Sequence, residues 1–286
     1  MDRLYLTQIA ARLQRSAYSF GKGRMDQENV GRHWDENADV WTELVRAGYD
    51  HYRDGLNTPA FLAMLPEVDG LAGLDVGCGE GHNTRLLAGC GARMTGVDIS
   101  ANFVRHARKA EREHPLDIRY EVASAVTLPF DGASFDFVTA FMSLMDIPET
   151  QRVLAEVFRV LRPGGFLQFS IEHPCFTTPH RKTLRDGTGR AYAREVGEYF
   201  RRLDGQVDEW IFSSTPPDVR SSRSHFRVPR FTRPLSEWLN LLLDAGFVLE
   251  RFEEPRPSDE AVREWPRLQS AQVFAVFLHV RARKPG

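Results

Sequence analysis

The residues with the clearest chemical pattern are the glycines of LDVGCGEG, a segment that runs from Leu74 to Gly81. An apolar run ends at Val76, and an amphipathic stretch follows at residues 82–89. Gly77 and Gly79 allow a tight turn and a close approach of the backbone to a ligand, and the first N–H groups of the following helix point toward that ligand. The segment therefore predicts a strand-to-helix loop that cradles an anion.

The spacing of these glycines argues against a dinucleotide. A G-x-G-x-x-G fingerprint would need a glycine where His82 stands, whereas this chain has G-x-G-x-G. Asp98 follows about 20 residues later, at the end of the run RMTGV, where a carboxylate can accept both hydroxyls of a ribose. Each feature alone has a structural explanation, a simple turn for the glycines and a helix cap for Asp98. Their order favours a ligand that contains a ribose.

A second group of reactive side chains follows the apolar run GFLQFSI, which ends at Ile171. Glu172, His173 and Cys175 come after it, at the carboxyl end of a predicted strand, where open α/β sheets bind ligands. Histidine is the side chain best suited to acid–base chemistry at physiological pH, so we predict His173 as a base or an orienting group, with a histidine bonded to the backbone as the alternative. Glu172 is its rival for this role, and Cys175 is interpreted as a buried thiol.

The strands and helices that position these residues are indicated by short apolar runs that alternate with amphipathic stretches from residue 71 onward. This alternation predicts an α/β fold with a mostly parallel sheet and helices on both faces. The predicted strands are LAGLDV, RMTGV, IRYEV, FDFVTA and GFLQFSI, followed after an interruption by FVLERFEE and QVFAVFLHVRA. The predicted helices are 82–89, 101–113, 150–161 and Leu235–Leu243, and helices are also expected within 38–65.

The interruption, residues 172–233, is predicted to be an inserted, hairpin-rich substrate cap. It carries more Lys and Arg than Asp and Glu, and turns are expected at RDGTGR, LDGQ and TPPD. Its aromatic residues are expected to wall an apolar pocket, while most of its arginines lie on solvated faces. Residues 1–66 are predicted to be an N-terminal helical lid segment, and 67–171 together with 234–286 form the sheet domain. Aromatic residues of the lid include Tyr18, Phe20, Trp34 and Trp41.

Composition excludes several classes of protein. The 286 residues contain 37 Lys and Arg against 39 Asp and Glu, so no global positive charge gathers nucleic acid or anionic lipid. Apolar stretches are shorter than the ~18 residues that a membrane helix needs. Three cysteines without metal-ligand spacing argue against a disulfide scaffold or a structural zinc site. We therefore expect a cytoplasmic protein with no bound metal.

Four motifs, in order, resemble those of the class I S-adenosylmethionine-dependent methyltransferases, a group that includes bacterial quinone and natural-product methyltransferases. LDVGCGEG is similar to the first motif, GVDIS to the ribose motif, LPFDGASFDFVTA to the fourth-strand segment and LRPGG to the turn before the fifth strand. The resemblance covers roughly residues 34 to 171. It implies a Rossmann-like, seven-stranded sheet whose last strand is antiparallel, with S-adenosyl-L-methionine as cofactor and S-adenosyl-L-homocysteine as product.

The resemblance also implies which residues hold the cofactor. The loop glycines would lie under the methionyl part, with Asp75 near its ammonium group, while Asp98 would bind the ribose and Ile99 would pack on the adenine. Ser124 stands where the family commonly has an acid that accepts from the adenine amino group, and a hydroxyl accepts less strongly. The other expected cofactor contacts are Trp34, Gly77, Cys78, Gly79, Ala125 and Phe141.

These observations predict methyl transfer to carbon, nitrogen or oxygen of a small aromatic or heteroaromatic molecule of secondary metabolism. The family includes indole C3-methyltransferases, so an indole-type molecule is one acceptor that the resemblance allows. A homodimer is also compatible with it. An RNA or protein methyltransferase is one alternative, but the Asn-Pro-Pro-Tyr type motif of amino-base methylation is replaced by residues 141–144. A catalytically silent cofactor-binding module is another, and the intact glycine loop argues against it. Tyr18 is a third candidate catalytic residue, after His173 and Glu172.

Overall fold

The computed structural model describes residues 25–286. Its strands are β1 Ala72–Val76, β2 Arg93–Asp98, β3 Arg119–Val122, β4 Phe135–Phe141, β5 Leu161–Glu172, β6 His180–Arg185, β7 Ala191–Gly197, β8 Asp204–Trp210, β9 Phe226–Phe231, β10 Val248–Glu253 and β11 Phe277–Arg283. Seven of them form a central sheet in the order β10-β11-β5-β4-β1-β2-β3. β11 runs antiparallel to both of its neighbours, whereas β1 to β5 pair in parallel. The predicted α/β fold class, with an antiparallel last strand, is confirmed.

The helices lie between and around these strands. They are α1 Gln27–Arg46, α2 Thr58–Met64, α3 His82–Gly89, α4 Ala101–Glu113, α5 Thr150–Val160, α6 Pro217–Ser222, α7 Leu235–Asp244 and α8 Asp259–Glu264, with a π-helical turn at Arg53–Asn57 and 3₁₀ turns at Leu144–Asp146 and Pro266–Gln272. Within residues 25–286, we find no helix with the length and apolar character that crossing a membrane requires.

Apolar side chains fill both faces of the sheet. Phe137 and Val138 are adjacent in β4, so they point to opposite faces, and both are fully buried. Val138 belongs to a cluster with residues of α5 and α7, whereas Phe137 belongs to a cluster with residues of α3 and α4. The helices therefore cover both faces, as the alternation predicts.

Some predicted boundaries differ from the structure at the ends of elements. α1 begins at Gln27, before the predicted helical range 38–65, because Asp26 accepts a hydrogen bond from the N–H of Asn29 at 2.8 Å and caps the helix. TPPD starts α6 rather than a turn between two strands, since proline fits the first helical turn. LDGQ enters β8, where Gly205 has a φ of 96° beside a register shift.

The insertion builds two hairpins outside the central sheet. β6 pairs with β7 across the RDGTGR turn, as predicted, and β8 pairs with β9; both pairs are antiparallel. Four strands of the insertion thus form two separate small sheets, which leaves the order of the central sheet unchanged.

α1 is attached to the β8–β9 hairpin by a paired amide and an aromatic cluster. Asn37 Nδ2 donates to the carbonyl of Arg227 at 3.1 Å, and Asn37 Oδ1 accepts from the N–H of Arg227 at 3.0 Å. The Trp41 ring lies 4.7 Å from that of Phe226 and 5.0 Å from that of Phe212, measured between centroids. The helix and the insertion therefore share one buried interface.

Replacing Asn37 by Ala should lower the free energy of unfolding by about 1–3 kcal/mol, because the buried amide is removed and the backbone N–H and C=O of Arg227 lose their partner. Glu36→Ala is the matched control, since Glu36 is exposed on the same helix and its loss should change stability by less than about 0.5 kcal/mol. Urea unfolding of both variants measures the difference. An Asn37→Ala variant as stable as the wild type would show that the amide does not hold α1.

Candidate active site

A cavity of about 1040 Å³ opens at the carboxyl edge of the sheet and is bounded by α1 and the insertion. Its volume lies just above the usual range for ligand sites, about 300–1,000 Å³, so it can hold a cofactor and an acceptor together. Residues from the sheet, from α1 and from the insertion line it, among them Asp75, Gly79, Asp98, Trp34, Trp41, Trp210, Phe212 and Arg230.

Gly77 and Gly79 shape the loop after β1, because both have a positive φ. Gly77 has a φ of 70°, and a Cβ added to it would lie 2.4 Å from the Cβ of Ser143. Gly79 has a φ of 55° and faces open space. The N–H groups of Gly77 and Cys78 donate to the carbonyl of Val97 at 2.8 and 3.0 Å. These bonds fix the loop against the end of β2 and leave its Gly79 side open to a ligand.

Asp98 is buried at the end of β2 and connects the glycine loop to α4. Its Oδ2 accepts from the N–H of Gly79 and its Oδ1 from the N–H of Ser100, both at 2.9 Å. Burial raises the pKa of Asp98 to about 6, although both hydrogen bonds act in the opposite direction. Each carboxylate oxygen keeps a second lone pair, and the side chain lines the cavity. The ionised group can therefore accept the two hydroxyls of a ribose.

Asp75 lies deeper, under the glycine loop. Its Oδ2 accepts from Thr84 Oγ1 at 2.6 Å, and its Oδ1 accepts from Thr139 Oγ1 at 2.9 Å. Burial raises the pKa of Asp75, against the effect of the two hydroxyls. Through these bonds Asp75 holds α3 and β4 beside the loop, and it also borders the cavity. Its contact with the ammonium group of the cofactor stays a prediction.

α1 covers the cavity beside the buried carboxylate of β2. A Cβ added to Gly31 would lie 3.0 Å from Ile99 Cδ1, so the helix backbone rests on Ile99. Asp35 Oδ1 fixes this contact by accepting from Ser100 Oγ at 2.7 Å and from the N–H of Asn102 at 2.8 Å. Sequence analysis does not identify Asp35, since no spacing shows that α1 lies over the start of α4.

Most of the predicted cofactor residues meet at this cavity, but Ser124 does not. Its Oγ instead accepts from the N–H of Val126 at 3.4 Å, a bond within its own turn. Its predicted role as the partner of the adenine amino group therefore has no support in this geometry. The predicted residues that line the cavity are Trp34, Asp75, Gly77, Cys78, Gly79, Asp98, Ile99, Ala125 and Phe141.

His173 lies at the predicted sheet edge, but it is buried and is not among the residues that line the cavity. Its Nδ1 accepts from the N–H of Cys175 at 3.2 Å, so Nε2 carries the proton and donates to Glu254 at 2.7 Å. Both ring nitrogens thus have protein partners. This placement favours the alternative interpretation, a histidine that shapes the turn at Pro174, over a catalytic base.

Two carboxyl groups do reach the cavity from the ends of β4 and β5. Glu172 is the last residue of β5, and Asp146 ends the 3₁₀ turn that follows β4. Burial, together with the charge of Glu172, raises the pKa of Asp146 well above its ordinary value, while Arg230 and Arg233 act in the opposite direction. Sequence analysis identifies Glu172 but misses Asp146, whose role depends on how the turn after β4 folds back.

The aromatic residues predicted for the lid are only partly described by the structure. Trp34 and Trp41 lie on α1 and line the cavity, with ring centroids 5.5 Å apart. Tyr18 and Phe20 lie outside the described residues, so the third candidate catalytic residue stays a prediction.

Comparison with known proteins agrees with this geometry. Residues 74–169 match a family model described as a methyltransferase domain. A methyltransferase structure from Mesorhizobium loti, described as S-adenosylmethionine dependent, superposes with a TM-score of 0.63 at 30% identity, covering 79% of this chain and 96% of that one.

Two curated relatives are also methyltransferases. The chain is 34% identical over 172 residues to an O-methyltransferase of Penicillium expansum, which covers 53% of this chain and 62% of that protein. It is 31% identical over 185 residues to a demethylmenaquinone methyltransferase of Lactococcus lactis, covering 59% of this chain and 69% of that protein. The chain therefore spans less than two thirds of the first relative and slightly more than two thirds of the second.

The pKa of Asp98 predicts how cofactor affinity depends on pH. Ribose hydroxyls donate to the ionised carboxylate, so affinity for S-adenosylhomocysteine should be constant above pH 6 and fall by up to about tenfold per pH unit below it. Asp98→Asn should bind more weakly and lose this dependence. Calorimetric titration of both proteins from pH 5 to 8 measures it. A variant with wild-type affinity and the same pH profile would show that Asp98 serves only to hold the glycine loop against the start of α4.

Proposed function

The chain belongs to the S-adenosylmethionine-dependent methyltransferases, and we propose that it transfers the methyl group of S-adenosylmethionine to a small aromatic or heteroaromatic molecule. One observation carries this proposal: a single cavity joins the glycine loop and Asp98 to aromatic and charged residues of the insertion. One relative is named as a demethylmenaquinone methyltransferase, and a quinone is a flat ring of the kind proposed here as acceptor.

The cofactor supplies an electrophilic methyl group on a sulfonium, so the chain must mainly bind, align and exclude water. The residues present fit it. Gly79 leaves open space at the loop, and Asp98 keeps two acceptor positions toward the cavity. α1, held by Asp35, closes the cavity above Ile99.

Aromatic side chains support a flat acceptor. Trp41, Trp210 and Phe212 line the cavity, and their rings meet edge to face with centroids 5.0 to 5.5 Å apart. Such packing holds the rings in fixed orientations, which suits stacking or edge contacts with another aromatic ring. Because α1 and the insertion both cover the opening, the site favours a small molecule over RNA or a protein.

Asp146 is the best-placed group to take a proton from a hydroxyl or an amine of the acceptor. It faces the cavity, and the turn to which it belongs begins next to Ser143, whose Oγ donates to the carbonyl of Val76 at 2.6 Å. The glycine loop and Asp146 are thus joined through one short segment. Because the pKa of Asp146 is raised, its ionised carboxylate accepts a proton more strongly than an ordinary aspartate does, which suits a general base.

The direct test of the function is methyl transfer from labelled S-adenosylmethionine to a panel of indoles, phenols and amines. We expect at least one compound to be methylated, with Asp98→Asn reducing turnover at limiting cofactor. NMR of the product identifies the methylated atom. Binding of S-adenosylhomocysteine without transfer to any compound in the panel would count against the enzyme and for a silent binding module.

Asp146→Asn should lower the rate ~10²- to 10⁴-fold if the acceptor loses a proton in the transition state, with S-adenosylhomocysteine affinity changed by no more than a few-fold. The wild-type rate should rise with pH as Asp146 loses its proton. Burial and the charge of Glu172 both raise the pKa of Asp146. Glu172→Gln removes the second of these causes, so the rising limb of the pH–rate curve should move to lower pH. His173→Asn is the control at the same sheet edge, and its pH–rate curve should rise at the same pH as that of the wild type. An Asp146→Asn variant that keeps the wild-type rate would show that Asp146 takes no part in the reaction.

A further inference from the structure

We propose that Arg181 and Arg230 form a subsite for a carboxylate group of the methyl acceptor. The inference rests on the proposed methyl transfer and narrows its acceptor to an aromatic or heteroaromatic acid. Both guanidinium groups, together with Asp208, stand between the large cavity and a smaller polar pocket of about 330 Å³, because all three residues line both spaces.

Backbone carbonyls hold both guanidinium groups in place. Arg181 extends from β6 and donates to the carbonyl of Thr178 at 3.0 Å. Arg230 extends from β9 and donates to the carbonyl of Thr177 at 3.4 Å. Their side chains are 29% and 14% exposed. Two arginines from different hairpins are therefore fixed on neighbouring carbonyls, so a ligand would lose little of its binding free energy to ordering them.

The two cations share one carboxylate. Asp208 Oδ2 lies 3.0 Å from Arg230 Nη1 and 4.0 Å from Arg181 Nη2. Burial and the charge of Arg230 lower the pKa of Arg181, while Glu172 and Asp208 act in the opposite direction. Arg201, which also lines the smaller pocket, has its own partner in Glu198 at 2.8 Å. An anion placed between Arg181 and Arg230 would reduce their mutual repulsion.

Both guanidinium groups also have donors to spare. A guanidinium carries five N–H groups, and within residues 25–286 Arg181 uses one in a hydrogen bond and Arg230 uses two. Planar, bidentate recognition by arginine suits a carboxylate. Asp208 and Glu172 line the same cavity and would repel a dianion more strongly than a monoanion, which favours a carboxylate over a phosphate.

The subsite lies in the same cavity as the aromatic and proton-accepting residues. Phe231, the neighbour of Arg230 in β9, lines it, as do Glu172 and Asp146. An acid bound through Arg181 and Arg230 would therefore place its ring beside the aromatic side chains and carboxyl groups that line the cavity. The insertion would thus select the acceptor by charge as well as by shape.

The test is calorimetry on the full chain saturated with S-adenosylhomocysteine. The probes are indole-3-carboxylate, indole-3-acetate and 4-hydroxybenzoate, each paired with its primary amide, and phenyl phosphate. We expect at least one acid to bind about tenfold more tightly than its amide, since charge-assisted hydrogen bonds are lost in the amide. Arg181→Gln and Arg230→Gln should each remove most of this preference and leave S-adenosylhomocysteine affinity within about twofold.

Arg185→Gln is the matched control, because Arg185 lies on the same strand but is exposed and bonded to the carbonyl of Gly189. It should keep the preference for acids. Acids that bind no more tightly than their amides, or a preference unchanged in both subsite variants, would overturn the proposal. Tighter binding of phenyl phosphate than of every carboxylate would overturn the assignment of the anion.

The same compounds in a transfer assay separate this inference from the function on which it rests. A preference for acids that depends on Arg181 and Arg230, without methylation of any compound, supports the subsite and counts against methyl transfer. Methylation without such a preference supports the enzyme and overturns the subsite.

Discussion

A single buried carboxylate at the end of β2 connects the parts of the site. Asp98 holds Gly79 through one oxygen and Ser100 through the other, so the glycine loop and the start of α4 keep fixed positions relative to each other. Burial deprives the ionised group of much of its hydration, which raises its pKa to about 6. At neutral pH the group is still largely ionised and retains lone pairs toward the cavity. Ribose hydroxyls can therefore replace part of the lost hydration.

The covering of this site depends on α1, which contacts two separate parts of the fold. Side chains two positions apart on a helix do not face the same way. Asp35 can therefore bind Ser100 and Asn102 at the start of α4, while Asn37 binds Arg227 in the insertion. The helix thus connects the Asp98 side of the cavity to the hairpin that carries Arg230 and Phe231. The proposed cofactor and acceptor sites are therefore connected through α1 as well as through the sheet.

The sequence was most informative for functional residues that lie at the ends of predicted strands. The loop glycines directly follow β1 and Asp98 is the last residue of β2, and parallel strands end at one edge, so their meeting could be predicted. His173 was assigned to the correct edge, but the direction of its ring depends on Glu254, 81 residues away in the chain. Ser124 bonds within its own turn, which motif alignment does not show. Asp146, Arg181 and Arg230 come together from three segments, and such a meeting follows only from the folded insertion.

We propose that Asp98, whose pKa is raised by burial, accepts the hydroxyls of the cofactor ribose, and the titration of its own carboxyl group tests this most directly. ¹³C NMR of the Asp98 carboxyl, assigned with the Asp98→Asn variant, gives its pKa with and without saturating S-adenosylhomocysteine. We expect a pKa near 6 in the free protein that falls when the ligand binds, because ribose hydroxyls stabilise the ionised form. A pKa that is unchanged or raised by the ligand would contradict it.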